Sequence, residues 1–315
     1  MLVDGAFVVC DASRGRGRPD SAGAGLRRQP GRVHAVAVKA VLVTGASSGI
    51  GQACALHLDR LGHRVYAGVR KEEDARALRE RGSDRLVPVF LDVTDQGQVD
   101  AVASQIAGDA GGLDGVVNNA GIGRGGPLEY LPLAEWREQL DVNVVGQVAV
   151  TKAMLPLIRS AGGRIVFIGS IGGRVATMMV GPYCASKFAV EAIGESLRHE
   201  LHPWGISVSV IEPGAIKTAI WDKARRDADR LDRELPAAAR AQYAAHGAAI
   251  RRGIDIQDRQ GADPGKVARA VEHALFSRRP KTRYLVGTDA KIQSALVRWL
   301  PARPREAIIR RIAGP

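Results

Sequence analysis

The chain has 315 residues, 45% hydrophobic and 25% charged, a globular balance that excludes disorder of the whole chain. Its three cysteines, Cys10, Cys54 and Cys184, are odd in number and widely spaced. That excludes a disulfide framework or zinc-ligand spacing and fits a reducing, cytoplasmic setting. The net charge of +12 gathers at the ends, with +3 over residues 1–37 and +6 over residues 280–315.

Residues 1–37, which include RGRGRPDSAGAGLRRQPGR, are rich in Gly, Arg and Pro and read as a disordered basic leader. The folded pattern begins near Val38, which leaves open whether the leader belongs to the native protein. The opening segment lacks the basic n-region of a signal peptide, and no apolar run is long enough to span a membrane.

From Val38 short apolar runs alternate with amphipathic ones. AVLVTG predicts a strand, GQACALHLDRLG a helix, HRVYAGVR a strand, EEDARALRERG a helix and LVPVFLD a strand. QVDAVASQIAG follows as a helix, LDGVVNNAG as a strand and Leu133 to Arg159 as one long helix. GRIVFIGS, ISVSVIEPG and RYLVG complete seven strands, with YCASKFAVEAIGESLRHEL and PGKVARAVEHALF as helices. This alternation predicts an α/β, Rossmann-like, doubly wound and mostly parallel seven-stranded sheet with helices on both faces.

Gly45, Gly49 and Gly51 in TGASSGIG stand between the first strand and the first helix. Glycines there let backbone approach a pyrophosphate, and free N–H groups at a helix start attract anions. The spacing G-x-x-x-G-x-G differs from G-x-G-x-x-G, and for the loop alone a plain glycine-rich turn is the less favoured alternative. At the end of the second strand an acid would hold the ribose 2′-OH of NAD. Val69 stands there, followed by Arg70 and Lys71, and a guanidinium suits the 2′-phosphate of NADP.

Tyr183 and Lys187 are at i and i+4, so they share a helix face. An ammonium nearby lowers a phenol's pKa from its usual value of about 10 and fits it for proton transfer. Ser170, at the end of the fifth strand, offers a hydroxyl to a substrate oxygen.

TGASSGIG, LDVTD, NNAG, Asn143, Ser170, YCASK and PG occur in one order. This resembles the short-chain dehydrogenase/reductase family over residues 38–288. The resemblance implies four catalytic residues. Tyr183 is the general acid/base, Lys187 holds the nicotinamide ribose and depresses the Tyr183 pKa, and Ser170 orients the substrate oxygen. Asn143 anchors a water leading from Lys187. It implies that the cofactor is held by Gly45, Ser47, Ser48, Gly49, Ile50 and Gly51, by Arg70, Asp92 and Val93, and by Asn119, Ala120 and Gly121. Tyr183, Lys187, Pro213, Gly214, Ile216 and Thr218 complete that set. NADP(H) is preferred on this reading, with NAD(H) as the alternative.

Cys184 beside Tyr183, and Cys54, read as small packing residues, because free cysteines are usually buried. His199, Glu200 and His202 lack metal-site spacing, so no metal is expected. Residues 216–262 form an insert with Ala224, Ala228, Leu231 and Leu235 at helical spacing and read as a substrate lid. Met178, Met179, Val180, Ile220 and Trp221 near the opening fit a lipophilic substrate.

The C-terminal run RYLVGTDAK…LP…AII resembles the retinol and hydroxysteroid dehydrogenase branch of the family, which implies a steroid- or retinoid-like alcohol or carbonyl. Residues 289–315 read as an amphipathic basic tail, with a stripe of Ile292, Ala295, Leu296, Trp299 and Leu300, suited to docking on its own domain or a second subunit ahead of an anionic membrane surface. A homodimer or homotetramer follows from the resemblance. Nucleic acid is not an expected partner, because the arginines carry no interleaved aromatics. The competing functions are an NAD-dependent dehydrogenase of the same fold and a nucleotide-binding sensor without turnover.

Overall fold

A computed structural model describes residues 38–313, so the expectation for the leader lies outside the described residues. All seven expected strands form: β1 (Ala40–Val43), β2 (Arg64–Val69), β3 (Leu86–Phe90), β4 (Gly115–Asn118), β5 (Arg164–Ile168), β6 (Val208–Pro213) and β7 (Arg283–Val286). They make one sheet in the order β3-β2-β1-β4-β5-β6-β7, and every neighbouring pair is parallel. The sheet is therefore wholly parallel, not mostly so.

Eleven helices accompany the strands: α1 (Gly49–Arg60), α2 (Glu72–Arg79), α3 (Gln96–Ala110), α4 (Leu133–Leu140), α5 (Gly146–Ala161) and α6 (Gly181–Leu201), then α7 (Ile220–Glu234), α8 (Ala237–Gln260), α9 (Pro264–Phe276), α10 (Thr288–Trp299) and α11 (Ala302–Ala313). Alternate strand residues feed two cores. Val41, Val43, Val65 and Ala67 pack with α1 and α9, while Ala40, Leu42, Tyr66 and Val116 pack with α3, α5 and α6. Burial on both faces is why these strands read as unbroken apolar runs. The strand order reverses between β1 and β4, and a parallel sheet opens a crevice at the carboxyl ends flanking that switch.

Two elements carry detail beyond the spacing. The helical stretch expected from Leu133 to Arg159 runs unbroken over residues 133–161, with a π turn at Asp141–Val145 between α4 and α5. Asn143 lies inside that turn. The start of the C-terminal tail is bonded to its own domain. The Asp289 carboxylate accepts from Ala215 N at 2.7 Å, and Ser294 Oγ accepts from Arg174 at 3.3 Å. Ala290 and Ser294 are buried, whereas Ile292 and Trp299 of the expected stripe are 58% and 75% exposed.

The insert is helical, as its spacing predicts. α7 and α8 leave and rejoin the domain at one point, where Ile216 bridges Ala262 and Lys217 N donates to Ala262 O at 2.9 Å. Arg225 to Asp258 (2.6 Å) and Arg251 to Asp232 (2.7 Å) join the two helices, and Arg230 to Glu135 (2.9 Å) ties α7 to α4.

Candidate active site

The turn after β1 brings the glycine loop against the end of β4. Gly45 has φ +63°, and a Cβ on it would stand 2.8 Å from Ala120 Cα. At Gly51 a Cβ would overlap the Gly45 carbonyl oxygen and Asn119 Nδ2. Asn119 Nδ2 donates to the carbonyls of Thr44 (2.9 Å) and Gly45 (3.0 Å). The hydroxyl of buried Thr44 accepts from the backbone of both Asn119 and Ala120 at 2.9 Å. Ser48 is the N-cap of α1, but its side chain makes no capping bond, so the first N–H groups of the helix are left for an anion. Gly49 faces the Thr218 side chain across the loop. These features fit a dinucleotide: a cradle too tight for side chains, open helix-start donors and a facing hydroxyl.

Val69 is 2% exposed, so the place where an acid would read a ribose hydroxyl is an inward-facing apolar residue. Arg70 is 66% exposed on its side chain and lies 3.6 Å from the Asp92 carboxylate. That carboxylate also accepts from Thr94 N (3.0 Å) and Thr94 Oγ1 (2.7 Å). Burial raises the Asp92 pKa, but the Thr94 bonds and the Arg70 charge outweigh it and hold the group below its usual range. Val93 is buried beside it.

Tyr183 sits in the first turn of α6, where Pro182 starts the helix. Its ring lies between Gly172 (Cε1, 3.3 Å from a Cβ position there) and Gly123 (Cδ2, 3.9 Å likewise). Ser170, directly after β5, accepts Gly172 N at 3.0 Å, which fixes its hydroxyl beside the phenol. Burial pushes the Tyr183 pKa up, and a hydrogen bond with Ser170 opposes this. Lys187 Nζ is 5.8 Å from the Tyr183 ring centroid and donates to the Ile168 carbonyl at 2.8 Å. The ammonium points at a backbone oxygen, and desolvation dominates the phenol. Lys187 itself is 5% exposed, and burial takes its pKa down to about 8 against an opposing pull from Glu191.

Asn143 is fully buried, and its amide is used by protein groups. Its Oδ1 accepts Ile122 N at 2.8 Å, while Nδ2 donates to Ile122 O at 2.9 Å and to Ser186 Oγ at 3.1 Å. Asn143 thus clamps the chain just past Asn119, Ala120 and Gly121 to α6. Leaving the Ile122 backbone pair unbonded would cost about 1–3 kcal/mol per group.

On the opposite wall Pro213 ends β6, and Gly214 N donates to Val286 O at 2.9 Å. Ile216 is 4% exposed, and its carbonyl accepts Trp221 Nε1 at 2.8 Å. Met179 has φ +66°, the one positive value at a non-glycine among the described residues, and its carbonyl accepts Gly126 N at 2.6 Å. Cys54 and Cys184 are buried thiols with raised pKa values, Cys54 up to about 12, consistent with packing. Among the described residues no three His, Cys, Asp or Glu side chains gather as metal ligands.

Residue reading alone missed several groups. Thr44 lies inside the quoted glycine motif, but its role needs β4 beside it. Gln147, which holds Ala120 O at 3.0 Å, and Asp289 act across long separations. Glu212 did carry a signal: a carboxylate inside an apolar strand, here fully buried against Arg174 at 2.7 Å.

A parallel sheet with a glycine cradle at its switch point and a Ser–Tyr–Lys group beside it defines a dinucleotide-dependent oxidoreductase. Comparison with known proteins agrees. A family profile described as short chain dehydrogenase matches residues 39–229. Retinol dehydrogenase 16 of Mus musculus is 37% identical over 291 residues, covering 86% of this chain and 91% of that protein. The mitochondrial D-beta-hydroxybutyrate dehydrogenase of Bos taurus is 38% identical over 275 residues, covering 82% and 80%. A short chain dehydrogenase from Burkholderia cenocepacia J2315, solved with NADP, superposes with TM-score 0.66 at 27% identity, covering 88% and 98%. One from Burkholderia phymatum, solved with NAD, gives 0.69 at 28%, covering 83% and 92%. The chain belongs to the short-chain dehydrogenase/reductase family, on its retinol dehydrogenase branch, and is an oxidoreductase acting on CH–OH groups.

Proposed function

We propose that this enzyme reduces a ketone or aldehyde on a lipophilic, steroid- or retinoid-like molecule with NADPH, and runs the alcohol oxidation in reverse. The observation that carries the reading is the grouping of the Ser170 hydroxyl, the Tyr183 phenol and the Lys187 ammonium at the crevice. The bound nicotinamide supplies or accepts the hydride. Ser170 holds the substrate oxygen. Tyr183, whose raised pKa keeps it a phenol, donates its proton to that oxygen as negative charge grows there. Lys187 keeps a positive charge behind the phenolate that remains, and Asn143 holds the α4–α5 junction against α6. The glycine loop, Asp92, Val93, Asn119, Ala120, Gly121 and the 213–218 segment would line the cofactor.

Lipophilic substrates are supported by half-buried Met178, Met179 and Val180 and by Ile220, 44% exposed at the base of the helical lid. The name of the retinol dehydrogenase relative points the same way. Val145 and Phe188, 58% and 45% exposed at the α4–α5 junction and on α6, support a homo-oligomer paired there. No described helix is long and apolar enough to cross a membrane. Exposed Ile292 and Trp299, beside Lys291 and Arg298 respectively, support peripheral contact with an anionic surface.

Two measurements test the reading. In a panel of steroids, retinoids and short ketones with both cofactors, kcat/KM should be highest for a bulky apolar carbonyl with NADPH. Turnover confined to small polar ketones would overturn the substrate class. Arg70→Asp should shift the NADPH/NADH ratio of kcat/KM towards NADH by about 10-fold or more, the scale of one charge-assisted bond to an anion exchanged for repulsion. An unchanged ratio would remove Arg70 from cofactor choice.

A further inference from the structure

Lys187 and Glu191 lie one turn apart on the same face of α6, and both are buried, at 5% and 8% exposure. Their polar ends lie near neighbouring residues after β5, with no direct ion pair between them within 4.0 Å. Lys187 Nζ donates to the Ile168 carbonyl at 2.8 Å, and Glu191 Oε1 lies 3.2 Å from where a Cβ on Gly169 would stand. That Oε1 is buried and has no hydrogen-bond partner among the described residues. Glu191 Oε2 is held by Arg283 Nε from β7 at 2.9 Å.

The charged groups around this carboxylate come from four places. Lys187, Glu195 and Arg198 share α6 with it. Arg174 comes from the turn after β5, Glu212 from β6 and Arg283 from β7. Arg174 is taken up by Glu212 at 2.7 Å, so the guanidinium bonded to Glu191 is that of Arg283, which also reaches Glu195 at 3.0 Å. Burial and the neighbouring Glu212 carboxylate raise the Glu191 pKa, and the Arg283 bond with the Arg283 and Arg174 charges opposes that rise without cancelling it.

We propose that Glu191 is a positioning residue for the reaction, its carboxylate, bonded to Arg283, serving as the counter-charge of the buried Lys187 ammonium one turn away. The inference rests on the reading that Tyr183 and Lys187 carry the proton transfer. It agrees with the balance at Lys187, where burial lowers the pKa to about 8 and Glu191 opposes it. Removing an anion beside a cation lowers the cation's pKa further, so the ammonium is lost at lower pH and the alkaline limb of activity moves down.

The test is Glu191→Gln, which keeps shape and removes charge. Its kcat/KM profile should show the alkaline limb displaced downward by on the order of one pH unit, with Glu191→Asp falling between. In the cofactor-free protein, the NMR titration of Lys187 ¹³Cε, assigned with Lys187→Arg, should move in the same direction. Arg283→Gln, at a partly exposed position, should shift the limb the same way and serves if Glu191→Gln does not fold. Glu195→Gln, an exposed change, should leave it in place. A Glu191→Gln profile that keeps its wild-type limb, or falls evenly at all pH values with the Lys187 titration unmoved, overturns the proposal. If Tyr183→Phe is inactive in that case, the catalytic reading survives; an active Tyr183→Phe would overturn that reading instead.

Discussion

Tyr183→Phe is expected to lower kcat about a thousandfold, within the range for a lost general acid, while cofactor affinity stays within about twofold. The asymmetry follows from the geometry. The substitution deletes one oxygen and keeps the ring between Gly123 and Gly172, so the α6 turn and the Lys187 bond to Ile168 remain. The hydroxyl beside Ser170 is what a substrate oxygen would meet. Single-turnover reduction and fluorescence titration with NADPH separate the two quantities. Wild-type turnover in this variant would overturn the mechanism. Lost cofactor binding would instead show that the phenol has a structural role.

Gly51→Ala is expected to have the second-largest effect, lowering cofactor affinity about a hundredfold, equivalent to about 2.8 kcal/mol. The added Cβ would overlap the Gly45 carbonyl and Asn119 Nδ2, neither of which can swing aside. The carbonyl is main chain in a turn where Gly45 already has positive φ. The amide is fixed by its bonds to Thr44 O and Gly45 O. Overpacking of this kind also destabilises by about 1–3 kcal/mol, so the melting temperature should fall with the affinity. Gly108→Ala, in α3 where a Cβ meets nothing within 4 Å, is the control. It should leave affinity unchanged and stabilise by up to about 1 kcal/mol. NADPH affinity within twofold of wild type in Gly51→Ala would mean that the loop does not cradle the dinucleotide.

The opening charge of +12 gains a different meaning from its distribution. Much of it lies in the leader, outside the described residues, and in α10 and α11. Within the domain, arginines are spent on fixed partners. Arg174 and Arg283 balance Glu212 and Glu191, and Arg230 anchors the lid on Glu135. Arg70 is different: it is largely exposed, with Asp92 at 3.6 Å, so it remains able to turn towards an anion.

The amino-acid sequence by itself determined the seven strands, their alternation with helices, the glycine loop and the spacing of Ser170, Tyr183 and Lys187. Those features are local: period, turn residues and helix-face separation express themselves within a few positions. The tertiary structure alone decided what the side chains of the site bond to. Asn143, inside the π turn, bonds both backbone groups of Ile122, 21 positions away. The Lys187 ammonium goes to the Ile168 carbonyl rather than the phenol, and Glu191 meets an arginine 92 positions away. The tail likewise joins the domain through Asp289 and Ala215, 74 positions apart. Buried polar groups must find partners wherever the fold brings them, and one-dimensional spacing does not encode which partner arrives.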